Sequence, residues 1–149
     1  MKMKKKQMKK VFIKGPIPPQ FIADSLANLQ SEQTIGAHNI FLGQVRADQV
    51  DQNKVVGIDY TCYEEIANIK FDTIREEASE KYKLTSIHIH HSLGVVNAGE
   101  ICLFILVSSK RRKQVYEATE YIVNRVKEEV PIFGKELLDN EAHQWKVNR

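Results

Sequence analysis

The sequence predicts an α+β fold, with helices packed on a mainly antiparallel sheet in the order β-α-β-β-α-β-β-α. Residues 54–63 and 84–92 alternate apolar with polar side chains, as half-buried strands do. Residues 64–82, and a segment starting near Arg111, carry apolar residues at helical intervals instead. The chain has 149 residues, 42% of them hydrophobic and 28% charged. A domain of that size buries roughly two-thirds of its unfolded surface and needs no metal or disulfide staple. Residues 11–149 are therefore read as one domain behind a short basic tail, residues 1–10, that is expected to be disordered.

Each element has its own warrant. Residues 11–14 form a short strand, and Pro18 and Pro19 then introduce Phe21, Ile22, Leu26 and Leu29 at the spacing of a short helix. Residues 36–46 read as a strand and residues 47–53 as a polar loop. In the next strand, residues 54–63, Val56, Ile58, Tyr60 and Cys62 fall on one face. Helix 64–82 presents Ile66, Ile69, Ile74, Ala78 and Tyr82. The alternation of 84–92 gives a further strand, and the branched and aromatic run 100–109 gives a buried one. The helix from Arg111 presents Val115, Ala118, Ile122 and Val126, and it must stop before Pro131, which lacks the backbone donor and clashes with the preceding turn. A last short strand is expected near Trp145.

Charge and composition exclude several classes of function. The net charge is +3, but six of the 22 basic residues lie in the first ten positions, which leaves 16 against 19 acidic residues in the body. A mildly acidic body with no pair of exposed aromatics on a strand argues against nucleic acid as partner. The longest apolar run, residues 101–107, is too short to span a bilayer, so no membrane partner is expected either. Cys62 and Cys102 have no companions at metal-ligand spacing, which indicates neither a disulfide framework nor a zinc site and suits a reducing cytoplasm. His88 and His90 share a strand face while His91 takes the other; two histidines without a third ligand make a poor metal site. No metal and no cofactor is called for.

What stands out is cations at the ends of predicted elements. Arg46 closes the strand that contains Gly43, a residue that lets a backbone or ligand approach closely. Lys110, Arg111, Arg112 and Lys113 sit where a strand hands over to a helix. Backbone N–H groups there, with two guanidinium forks, make a receptor for phosphate or carboxylate. Lys127 lies in the last turn of that helix and Lys135 beyond the following turn. Each has a plainer explanation: a strand-end arginine or a basic run is ordinarily a solvated charge, and a lysine at a helix C-terminus complements the helix dipole. Cys102 reads as a core residue.

Taken in order, these segments resemble the large, catalytic subunit of molybdopterin synthase. The pieces are Gly36-Ala37 with Phe41-Leu-Gly-Gln-Val-Arg46; Tyr60-Thr-Cys-Tyr63 with Ala67; and His91-Ser-Leu-Gly94 with Gly99-Glu100. Val107-Ser-Ser-Lys-Arg-Arg112 with Glu117-Ala118 follows, then Val126-Lys127, Val130-Pro-Ile-Phe-Gly-Lys-Glu136 and Trp145. The resemblance covers nearly all of the chain after the tail.

The resemblance implies sulfur transfer from the C-terminal thiocarboxylate of a small ubiquitin-like subunit, ending in Gly-Gly, onto cyclic pyranopterin monophosphate, forming the dithiolene of molybdopterin. It implies a central homodimer with a small subunit at each end, a heterotetramer. It also implies Lys127 as a catalytic lysine, and Gln44, Val45, Arg46, Arg111, Arg112, Lys127, Gly134, Lys135 and Glu136 as substrate-binding residues. Two anions meet in such a site, so cations are needed to neutralise and orient them.

Three positions depart from the family pattern. Arg111-Arg112 stands for a histidine-arginine pair, and His91-Ser92 for a His-Arg. Phe133-Gly134-Lys135-Glu136 stands for Trp-Lys-Lys-Glu, which puts glycine at a normally catalytic lysine. Lys135 is the candidate to take over that second catalytic role, with Gly134 supplying flexibility. The alternative is a diverged, non-catalytic homologue of the same fold that still binds the partner.

Overall fold

The structure, a computed structural model, describes residues 10–147, so the basic tail lies outside it except for Lys10. The elements run β1 (Phe12–Lys14), α1 (Pro19–Leu29), β2 (Ala37–Gln44), β3 (Gln49–Val50), β4 (Asn53–Cys62) and α2 (Glu64–Tyr82), then β5 (Ser86–Asn97), β6 (Ile101–Ser109), α3 (Arg112–Glu129), β7 (Ile132–Leu138) and β8 (His143–Trp145). Strands β2-β6-β5-β4-β7-β8 are neighbours in that order, all antiparallel; β1 adds to β5 in parallel and β3 makes a small hairpin with β4. The expected α+β architecture is present, with β3 inside the segment expected to be a loop and β7 an additional strand.

Strand β6 is buried on both faces. Leu103, Ile105 and Val107 join the main core under α2 and α3, while Phe104 and Leu106 pack with Ile17 and with Phe21, Ile22 and Leu26 of α1. That double burial explains why β6 reads as a continuous apolar run and not as an alternation. Strand β5 changes partners along its length. Ser86–His91 pairs with β6, and the stretch from Gly94 to Asn97 pairs with β4. Gly94 sits at the handover with φ +82°, a conformation open to glycine and strained for other residues.

Two apolar patterns are displaced from those expected. In β4 the register shifts between Val55 and Gly57, so Val55 is buried and Val56, placed by alternation on the inner face, is exposed. In α2 the buried stripe is Ala67, Phe71, Ile74, Arg75 and Ala78, while Ile66 and Ile69 are exposed. Strand and helix both contain more apolar residues than one face can take, and packing against β5 and α3 chose among them. On α3, Val115, Ala118, Ile122 and Val126 are all buried as expected, and the helix ends at Glu129, two residues before Pro131.

Candidate functional site

The C-terminal end of α3, the middle of β4 and the paired strands β7 and β8 surround a cavity of about 430 Å³. Gly43 and Gln44 enter it from the end of β2, Cys102 and Leu103 from β6, and Tyr60 and His91 from β4 and β5. Lys127 comes from the last turn of α3, Gly134 from β7, and Trp145 with Lys146 from the end of β8.

The electrostatics of this cavity differ from those of a solvated surface. Lys127 is exposed as a residue, yet loss of water around its amine is the main cause that lowers its pKa; repulsion from Lys146 and then Arg46 adds to this, and Cys102 opposes it. His91 is buried, with its pKa depressed to about 4, first by burial, with Lys127 and Lys146 pushing the same way against a backbone hydrogen bond. Its Nδ1 lies 2.7 Å from the carbonyl oxygen of Ser92. A carbonyl only accepts, so Nδ1 carries the proton and the neutral ring's Nε2 is left as the acceptor. The Tyr60 ring meets His91 edge-on, with centroids 4.9 Å apart. Burial, then the Cys102 thiol and Glu136, drive the Tyr60 phenol pKa upward, so it stays a neutral hydroxyl. The Cys102 thiol donates to the Gly43 carbonyl at 3.4 Å. Together these groups form a basic chamber with neutral hydrogen-bonding groups in its wall.

Of the residues that the sequence pointed to, Gln44, Lys127 and Gly134 line this cavity. Val45 is instead a core residue, 2% exposed. Arg46 is solvated and pairs with Asp48 at 3.3 Å, although its charge reaches Lys127. Arg111 and Arg112 are exposed at the opposite end of α3. At about 1.5 Å of rise per residue, roughly 22 Å of helix separates Arg112 from Lys127. One copy of the chain therefore does not gather all its candidate cations in one place.

Strand pleat separates the remaining pair. Gly134 is the register partner of Tyr60, and Lys135 that of Asp59, so consecutive residues point to opposite faces. Tyr60 and Gly134 line the cavity, whereas Lys135 and its β4 partner Asp59 do not, although its β8 partner Trp145 reaches the cavity as well. Glu136 returns to the Gly134 face, opposite Ile58, where its charge is felt by Tyr60. Sequence reasoning did not single out Tyr60, His91, Cys102 or Lys146 as site residues. His91 carried a usable signal, since alternation sets it on the face opposite His88 and His90; Lys146 carried none.

The chain matches the family model of the MoaE protein over residues 18–129. The chain belongs to the MoaE family. It is 33% identical over 128 residues to the molybdopterin synthase catalytic subunit of Pyrococcus abyssi, a match covering 86% of this chain and 85% of that one. To the catalytic subunit of Bacillus subtilis it is 38% identical over 110 residues, covering 74% and 69% of the two chains. Its fold is similar to that of Staphylococcus aureus molybdopterin synthase, with TM-score 0.80, 30% identity and coverage of 93% of this chain and 96% of that chain. A complex of subunits 1 and 2 of the molybdopterin-converting factor from Helicobacter pylori, at 22% identity and TM-score 0.78, shares the fold; the match covers 93% and 90% of the two chains. This MoaE-family chain takes the place of a molybdopterin synthase catalytic subunit, an enzyme role in molybdenum cofactor biosynthesis. The segment that departs most from the family pattern, Phe133 to Glu136, lies beyond the residues that the family model matches.

Proposed function

We propose that this MoaE chain is the sulfur-transferring subunit that converts cyclic pyranopterin monophosphate to molybdopterin, taking sulfur from the C-terminal thiocarboxylate of a small ubiquitin-like partner in the cytoplasm. The observation that carries the reading is Lys127, an amine of lowered pKa at a cavity that also holds neutral His91 and Tyr60. Forming the dithiolene replaces carbon–oxygen bonds by carbon–sulfur bonds, so the departing oxygen needs a proton and the incoming thiocarboxylate needs a counter-charge. Lys127 supplies both, because a lysine of lowered pKa both donates and regains its proton more readily near neutrality. The Tyr60 hydroxyl and the neutral His91 ring orient the substrate by hydrogen bonding.

The assembly is a central pair of these chains with one small subunit at each end. That arrangement also gives Arg111 and Arg112 a task. Held some 20 Å from their own Lys127 by roughly the length of α3, they serve the reaction only at the cavity of the second copy. Both are exposed and so free to do this.

The test supplies the partner as its thiocarboxylate with the cyclic pterin and follows dithiolene formation. Product is expected. No product, beside a family enzyme that works under the same conditions, overturns the reading. Binding of the partner without turnover would instead establish the diverged, non-catalytic homologue, which the glycine at position 134 favours.

A further inference from the structure

We propose that Lys146 is a substrate-contacting lysine of this cavity, placed to hold the substrate's anionic group against Lys127. The identity of that substrate rests on the sulfur-transfer reading; the anion site does not.

The argument begins with strand β7. A side chain cannot be added at position 134 without disturbance, since a Cβ there would stand 2.9 Å from Ile58 Cγ2 and 3.3 Å from Tyr60 Cε1. The third neighbour of that point is the Cβ of Lys146, 3.6 Å away. The Lys146 N–H donates to the Gly134 carbonyl at 2.7 Å, which fixes the backbone just past β8 beside β7. A lysine from just past the adjacent strand thus starts 3.6 Å from where a side chain at position 134 would start, and it lines the same cavity.

Lys146 is partly buried, unlike a lysine on a solvated edge. Its charge reaches both Lys127 and His91, and in each case it opposes protonation. Both lysines line one cavity, and an anion bound there offsets the repulsion that Lys146 exerts on Lys127, so the arrangement favours binding of phosphate or carboxylate. Lys135, by comparison, is adjacent in sequence but belongs to the opposite face of the sheet. The neighbour in space, and not the neighbour in sequence, provides the second lysine.

Trp145 is the single tryptophan of the chain and lines the cavity, so its fluorescence reports binding there. The assembled protein is titrated with inorganic phosphate as wild type, Lys146→Met and Lys146→Arg. Affinity is expected to fall about fivefold or more in the methionine variant and to be largely kept in the arginine variant, as for a charge-assisted contact. The pH dependence of Lys127 acylation, read by mass spectrometry, should move to higher pH in Lys146→Met. With partner and cyclic pterin, kcat/KM should fall about tenfold in Lys146→Met, mostly through KM.

Wild type that does not bind phosphate, or Lys146→Met with unchanged phosphate affinity and an unchanged Lys127 profile, overturns the proposal. An inactive wild type whose phosphate affinity still depends on Lys146 overturns the sulfur-transfer reading and leaves the anion site standing. The arginine variant guards against a folding artefact, because a loss shared by methionine and arginine would show that shape, not charge, matters at this position and would overturn the proposal as well.

Discussion

The two ends of α3 carry opposite lessons about charge. The N-terminal end has Lys110, Arg111, Arg112 and Lys113 in a row at a helix start, and in sequence it is the stronger anion site. Its cations are exposed. Its N-terminal geometry is taken up by the protein itself: Gln114 accepts from the Arg111 N–H at 3.2 Å and from the Ser109 hydroxyl at 3.1 Å, and donates to the Tyr82 carbonyl at 2.8 Å. The C-terminal end contributes a single lysine. There the cavity withdraws water and brings in Lys146, and the Lys127 pKa is lowered. A cation becomes chemically useful through what surrounds it, and the number of its neighbours in sequence says little about that.

The largest effect should come from breaking the C-terminal end. Lys127→Met removes the proton-exchanging amine while keeping much of the side-chain volume, and kcat should fall about a hundredfold or more, the usual scale for a lost general acid or base. Arg112→Ala should cost about tenfold or less and act mainly on KM, as loss of a binding charge does. Steady-state kinetics of both variants in the reconstituted synthase decides the matter. Equal losses in kcat would mean that Lys127 only binds anions, and the contrast between the two ends would disappear.

A second prediction uses the burial that distinguishes the pocket end. An unfolded histidine protonates near 6.5, whereas folded His91 resists until about 4. Between those values the unfolded chain binds more protons, so stability rises with pH in that window and is lost on acidification through it. The loss is complete below the folded value and amounts to about 3 kcal/mol at most for a group only 8% exposed. His90, also depressed to about 4 by burial and by His88 and Arg75, adds a loss in the same direction. Urea midpoints measured from neutral pH down to the folded value should therefore fall, and His91→Asn should flatten the slope. An unaltered slope would show that His91 is not held neutral and that the pocket is wetter than its packing implies.

How much of this was legible in the sequence depends on the range of the interaction that decides it. Patterns set by one element's own period were readable: the stripe of α3, its end before Pro131, and the doubly buried β6. Where a helix or strand held a surplus of apolar residues, as at Ile66 and Ile69 or Val56, the choice of face was made by partners distant in sequence and could not be read locally. The site divides in the same way. Lys127 stood out as a cation at a helix end and took its catalytic role from the family resemblance, and Gly134 was found through its departure from that pattern. Tyr60, Cys102 and Lys146 meet only because β4, β6 and the end of β8 converge, and no spacing along the chain encodes that. Adjacency to Gly134 does not by itself bring Lys135 into the cavity, because a strand's period of two sends neighbours to opposite sides.

The smallest expected effect sharpens that last point. Lys135 has Asp59 directly opposite on β4 and Trp145 opposite on β8, and neither Lys135 nor Asp59 lines the cavity that Gly134 and Tyr60 enter. A cross-strand pair of opposite charges contributes about 0.2–1 kcal/mol to a sheet. Lys135→Ala should accordingly lower stability by no more than that and change kcat/KM by about twofold or less. Had Lys135 turned into the cavity to replace the lysine absent at position 134, the same substitution would approach the loss seen for Lys127→Met. Its position in the register makes that movement costly: the side chain would have to cross the plane of a strand hydrogen-bonded on both edges, to β4 and to β8. A large kinetic loss in Lys135→Ala with an unchanged melting temperature would therefore require β7 to slip by one residue in the working enzyme, which would turn every side chain of that strand to the other face.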